Sequence, residues 1–189
     1  MAREFDAFDG PGNETDGVKH GIGRRRADPV EMSLETRLLS AAMFGDATAV
    51  ARLLSAGARA SHEDSMGRTP LHYACRHYRP DAALILIDSG VDLDAGDRHR
   101  RRAIHFSAEQ GHRGILLALI KAGASVGLRD HSGNAALHYA CNSGRIDSAV
   151  ALVMAGADAG AMNCDGKIPA DLGKPAMKAA IAAAVARSS

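Results

Sequence analysis

Tryptophan is absent from this chain of 189 residues, and aromatic residues make up only 4% of it. A core built around large aromatic anchors is excluded. The hydrophobic share of 46% is still enough for one domain with a core, built from Ala, Leu, Ile and Val. Such a core suits closely stacked helices. Charge of one sign is also lacking: 23 Lys and Arg stand against 22 Asp and Glu, a formal net charge of +1. That excludes a chain-wide attraction to nucleic acid or to an anionic membrane and leaves only local clusters. No apolar run approaches membrane-spanning length, and the N-terminal stretch has no hydrophobic leader region. Its acidic residues, Glu4, Asp6, Asp9, Glu14 and Asp16, argue against a mitochondrial presequence. Without a leader, Asn13-Glu14-Thr15 reads as a chance match to a glycosylation sequon. Gly-x-Ser-x-Gly, Gly-x-Gly-x-x-Gly and the phosphate-loop pattern are missing, as are Cys-x-x-Cys and His-Glu-x-x-His. The expectation is no enzyme, no metal and no cofactor.

What the chain does have is a repeated unit. Gly67-Arg68-Thr69-Pro70-Leu71-His72-Tyr73-Ala74-Cys75 reads as a tight turn followed by a helix start. Gly67 admits positive φ, Thr69 can cap, and Pro70 suits the first helical position. The unit returns 33 residues later as Ala103-Ile104-His105-Phe106-Ser107-Ala108, and 33 further on as Ala136-Leu137-His138-Tyr139-Ala140-Cys141. Gly57, Gly90, Gly123 and Gly156 keep the same period of 33, as do Leu38, Leu71, Ile104 and Leu137. So do Leu53, Leu86, Leu119 and Leu152, and Asp64, Asp97 and Asp130 with Asn163 in the fourth place.

A period of 33 carrying Thr-Pro-Leu-His resembles the ankyrin repeat family, over about residues 31–185. The resemblance implies a mainly all-α solenoid, each unit a β-turn finger and two antiparallel helices. It also implies a protein that binds other proteins. The boundaries expected are repeats at about 33–63, 64–96, 97–129 and 130–162 and a C-terminal cap at 163–187.

Residues 1–32 hold five basic and seven acidic groups and many glycines. They are expected to form a tail that is disordered or held by a partner. Phe5 and Phe8 in that tail are spaced like a short docking segment, and Arg24-Arg25-Arg26 is a small basic run; a solvated tail is the plainer reading of both. The three cysteines are expected to be small core residues in a reducing compartment, because Cys75 and Cys141 lie two repeats apart. His72, His105 and His138 recur once per repeat, so they are expected to bridge turn backbone and helix start rather than converge on a metal. The run Ala82 to Ile87 is expected to be buried. The final helix, from Pro175, has an Ala-rich outer face that reads either as good helix-forming sequence or as a second contact surface.

Subtracting turn, cap and core positions leaves the residues expected to line a concave groove. They are Ser65, Met66, Arg68, Arg76 and His77; Arg98, His99, Arg101, Glu109 and Gln110; and His131, Ser132, Asn134, Asn142 and Ser143. Met43 and Phe44 extend the row. One finger breaks the pattern: Arg98-His99-Arg100-Arg101-Arg102-Ala103 stands where the family has Gly at 100 and Thr-Pro at 102–103. That sequence loses the cap and the helix-starting proline, and a kept turn places Arg100 at positive φ. The reading is a non-catalytic adaptor or assembly subunit, cytoplasmic or nuclear, gripping an acidic protein segment through Arg98, Arg100, Arg101 and Arg102. A nucleic-acid-associated subunit using the same arginines on phosphate is the alternative; the cluster has no interleaved aromatics for base stacking. An idle spacer is the third reading.

Overall fold

The computed structural model describes residues 32–188. The expectations for the N-terminal tail, including Phe5, Phe8 and Arg24-Arg25-Arg26, lie outside the described residues. Ten helices follow: α1 Leu34–Phe44, α2 Ala47–Ser55, α3 Pro70–Arg76, α4 Pro80–Asp88, α5 Ala103–Gln110, α6 Arg113–Lys121, α7 Ala136–Asn142, α8 Ile146–Met154, α9 Pro169–Leu172 and α10 Pro175–Ser188. Among the described residues there is no strand, only an isolated bridge between Arg129 and Ala135. Odd-numbered helices pack on odd-numbered neighbours and even-numbered on even-numbered ones, with each odd helix also against the even helix that follows. The result is a mainly all-α, two-layered solenoid.

Local chemistry explains the boundaries. Ser33 Oγ accepts the Thr36 amide to start α1, and Asp46 Oδ1 accepts the Ala49 amide to start α2. Prolines stand at the first position of α3, α4, α9 and α10. Between the layers the core is aliphatic: Leu38, Leu71, Ile104 and Leu137 of the odd layer are buried, as are Leu53, Leu86, Leu119 and Leu152 of the even layer. Ala74, Ala108 and Ala140 are fully buried too, which lets the odd helices approach closely. Two expectations fail here. Leu84 is 45% exposed in the run Ala82 to Ile87, because that face of α4 meets no further layer. Cys75 and Cys141 are buried, and burial pushes their thiols up to about 12; Cys164, however, is exposed on a finger. At the C-terminal end, Met177, Ile181 and Ala184 bury the inner face of α10, while most of its other alanines are exposed.

Fingers precede the odd helices and bond to one another through backbone. The Arg98 amide donates to Met66 O, His131 to His99 O, and Cys164 to Ser132 O. This stacking is tight. A Cβ on Gly133 would stand 2.9 Å from the Cys164 nitrogen, so a glycine there answers both to close approach and to φ +76°.

Candidate partner-binding surface

Each finger is organised by one side chain. Asp64 Oδ1 accepts the Met66 and Arg68 amides, and Asp130 Oδ1 accepts those of Ser132 and Asn134. Their second oxygens take a tyrosine hydroxyl, from Tyr73 and Tyr139, each at 2.6 Å. Burial opposes ionisation of Asp64, but these donors outweigh it and hold its carboxyl below the ordinary range. Asp97 likewise accepts the His99 and Arg101 amides. Nine residues beyond it, however, stands Phe106, which has no hydroxyl to offer.

Arg101 fills that role. Its guanidinium donates to Asp97 Oδ2 from Nη2 at 3.0 Å and from Nε at 3.2 Å, and lies over the Phe106 ring at 4.6 Å. Arg68 Nε approaches the same carboxylate at 4.0 Å and is otherwise without a hydrogen-bond partner. Burial works against the Asp97 charge, yet the Arg101 amide and guanidinium keep its carboxyl below the ordinary range.

Arg102 corrects the expected site. It is 8% exposed, and Nη1 donates to the Arg100 and Arg129 carbonyls at 2.7 Å each, with Nε on Asp94 O at 3.4 Å. It is a buried tie between neighbouring turns, and a partner cannot reach it. Nor is the helix start lost with Thr-Pro: α5 begins at Ala103, and the Arg102 amide donates to His105 Nδ1. His72 and His138 do the same for Thr69 and Ala135, and their Nε2 atoms meet the Arg101 and Lys167 carbonyls of the next finger. His105 Nε2 makes no such bond. Burial lowers the His105 pKa to about 4.

Arg98, His99 and Arg100 stay at the surface, with Arg100 at φ +59° where Gly67, Gly133 and Gly166 occupy the same place in their fingers. Arg76 and His77 are exposed at the end of α3, and His77 stacks on Tyr73 at 6.2 Å. Neither Arg76, Arg98 nor Arg100 pairs with a described carboxylate. Further along, Gln110, His131, Ser132 and Asn142 are exposed; Glu109, Asn134 and Ser143 are half-buried, and Asn134 Oδ1 accepts from Asn163 Nδ2. A cleft of about 260 Å³ opens between His99, Arg101, Asp130, His131, Ser132 and Tyr139. A second, of about 180 Å³, involves Asn134, Tyr139 and Asn142. Fingers and odd helices therefore share one continuous face. Among the described residues no cluster of three or more His, Cys, Asp or Glu is placed to hold a metal ion.

One residue that the subtraction of framework positions passes over is Tyr78. It is 56% exposed at φ +52°, the other non-glycine residue at positive φ among those described. The available signal is its register: at steps of 33 residues, Gly45, Gly111 and Gly144 hold the place of Tyr78 in the other loops.

Stacked helix pairs with one finger-lined face define a repeat solenoid of the kind that works through its surface. The particular family follows from comparison: a model described as Ankyrin repeats (3 copies) matches residues 16–97, 38–130 and 96–163, and the chain belongs to the ankyrin repeat family. No curated protein matches it.

Proposed function

We propose that this chain is a non-catalytic adaptor or assembly subunit that binds an acidic protein segment across its fingers and odd helices. Ankyrin repeats generally mediate protein–protein interaction, which supports the coarse part of the reading. The finer part rests on one observation. The Asp97 finger turns its carboxylate inward, against Arg101 and Arg68, and turns Arg98, His99 and Arg100 outward, where none of them pairs with a described carboxylate. Arg76 continues the positive row at the end of α3, and His77 beside it, its pKa lowered by burial and by Arg76, adds a neutral ring. Exposed guanidinium groups match carboxylates in pairs, so an acidic segment is the complementary ligand. Among the described residues no helix is long and apolar enough to cross a membrane.

The test is charge reversal at the two exposed arginines, Arg98→Glu with Arg100→Glu, which leaves Arg101 and Arg102 in place. The probes are a fluorescent glutamate-rich peptide and a single-stranded oligonucleotide of equal charge. The expected outcome is salt-sensitive capture of the peptide by the parent protein and its loss in the variant, with an unchanged circular dichroism spectrum. Unaltered peptide affinity in the variant would remove the finger from the site. Tighter capture of the oligonucleotide would turn the reading to phosphate.

A further inference from the structure

Two non-glycine residues are held at positive φ among those described, Arg100 at +59° and Tyr78 at +52°. Each replaces a glycine that recurs in the other units, and the two stand at opposite ends of the same region. Arg100 is on the fingertip preceding α5, and Tyr78 is in the loop that follows α3. Backbone strain of this kind persists where the side chain it presents is of use. At the finger the side chain presented is a cation. At the loop it is an aromatic ring.

Tyr78 has a structural contact on one edge. Its ring lies 4.6 Å from that of His112, tilted by 34°. Elsewhere the same place is filled differently: Arg79 packs its stem over Gly45 and donates to Met43 O, and Arg145 packs over Gly111 and donates to Glu109 O. The Tyr78–His112 pair thus substitutes for an arginine over a glycine. That substitution accounts for the inner edge of the ring and leaves more than half of the side chain in water. In the preceding unit, Phe44 closes α1 at 67% exposure, one residue before the equivalent Gly45. In a chain with four phenylalanines and three tyrosines, two rings standing open on one loop edge are a large fraction of the aromatic total. Open aromatic side chains beside arginine are the composition of an interface anchor. Arg76 and His77 lie between this edge and the fingers and are themselves exposed.

We infer that Phe44 and Tyr78 form the apolar rim of the partner groove, so that its ligand is an extended protein segment with an acidic run at the Arg98–Arg100 fingertip and an aromatic or large aliphatic anchor at the rim. This deepens the function proposed above and rests on it. The seven residues of α3 separate finger base from loop by roughly 10 Å, so an extended chain covers that helix in roughly three residues and needs a few more to reach the fingertip.

A random twelve-residue peptide library displayed on phage and selected on the full chain supplies the probe. Recovered peptides should pair acidic residues with Trp, Phe, Tyr or Leu at about that spacing. A synthetic copy should bind Tyr78→Gly and Phe44→Ala at least tenfold more weakly than the parent, with Tyr78→Gly melting no lower than the parent. If both rim variants keep full affinity while Arg98→Glu with Arg100→Glu loses it, the rim is not part of the site and the acidic-segment function stands alone. If Tyr78→Gly melts lower, Phe44→Ala decides, since so exposed a ring leaves the fold intact when removed; unchanged affinity there overturns the inference. Peptides indifferent to finger and rim alike, or no binders at all, remove both readings. A single-stranded DNA dodecamer that outcompetes the peptide and depends on Tyr78 replaces the protein ligand with nucleic acid.

Discussion

The Asp64 and Asp130 fingers solve one problem the same way, and the Asp97 finger solves it differently. All three hold an inward carboxylate that accepts two finger amides. In the first two the remaining oxygen is met by a tyrosine hydroxyl from the following helix. In the Asp97 finger it is met by Arg101, laid over Phe106. The cap changes as well: Thr69 Oγ1 lies 2.9 Å from His72 Nδ1, whereas Arg102 reaches past its own helix start to three carbonyls. A run of four arginines at 98 and 100–102 thus divides by direction. Two point inward and replace lost hydrogen bonds; two point outward and replace nothing. Charge density along the sequence could not separate these jobs, because both use the same side chain.

Below the fingers the comparison should vanish. Leu71, Ile104 and Leu137 hold one register and are all buried. Leu71→Ala and Leu137→Ala should each destabilise by about 2–5 kcal/mol, and Ile104→Ala by a similar amount. Urea or guanidinium midpoints measure it, and in a stack held by neighbour contacts the loss can show as a split transition. A much smaller effect at Ile104 would mean that the Asp97 unit is loosely docked, and that its arginines serve a weak joint.

Protonation separates the units next. His72, His105 and His138 all have lowered pKa values, chiefly from burial, and His105 is shifted far, its Nε2 making no full hydrogen bond although the Asn134 and Leu128 backbone partly offsets the shift. A histidine kept neutral by folding takes its proton more readily when unfolded. Its contribution is therefore complete above the unfolded value of 6.5 and is lost as pH falls toward the folded value of about 4 for His105. That one group accounts for roughly 3 kcal/mol across the interval, by the free energy of a pKa shift. The lowered carboxyls of Asp64 and Asp97 act in a lower window, losing their contribution as pH drops below the unfolded value of 3.8. Denaturant midpoints at pH 7, 5.5 and 4.5 should fall steadily. In NMR titration His105 should be the last of the three rings to protonate; His72 protonating after it would overturn the ranking.

Much of the frame was legible from a period of 33 because burial, helix start and turn each impose their own residue at a fixed place, and these agreed. The histidine bridges were legible for the same reason. The outward–inward division of the arginines was not, although a signal existed: Phe106 interrupts a tyrosine register held by Tyr73 and Tyr139. A missing hydroxyl at the fourth residue of α5 calls for a replacement donor, and only the structure shows which arginine supplies it. Tyr78 hid in a similar way: Tyr78-Arg79-Pro80 reads as a loop standing where the family has Gly-His, and that its ring stays open to water shows only in the structure.

That exchange can be tested by putting the hydroxyl back. Arg101→Ala removes both guanidinium bonds to Asp97 and should cost about 1–3 kcal/mol. With Phe106→Tyr already in place, a hydroxyl stands nine residues after Asp97, as Tyr73 does after Asp64. The cost of Arg101→Ala should then shrink by about 1 kcal/mol or more, a coupling that a double-mutant cycle reads directly. Strict additivity would show that Arg101 does not stand in for the tyrosine.

The smallest expected change is also the one that divides strain from structure. Arg100 holds φ +59° in a place where Gly67, Gly133 and Gly166 hold +71°, +76° and +73°. A left-handed conformation costs an L-residue about 1–2 kcal/mol, and the extra freedom of glycine in the unfolded chain returns about half of that. Arg100→Gly should therefore stabilise by about 0.5–1 kcal/mol, a rise of a few degrees in melting temperature for a chain of this size. The Arg100 carbonyl that accepts from Arg102 belongs to the backbone and survives the change. A finger shaped by folding alone would gain stability and lose nothing. A finger kept for a partner would gain the same stability while its salt-sensitive binding of an acidic peptide weakens. If Arg100→Gly lowers the melting temperature instead, the guanidinium stabilises the fold, and Arg98 alone is left as the outward charge of that tip.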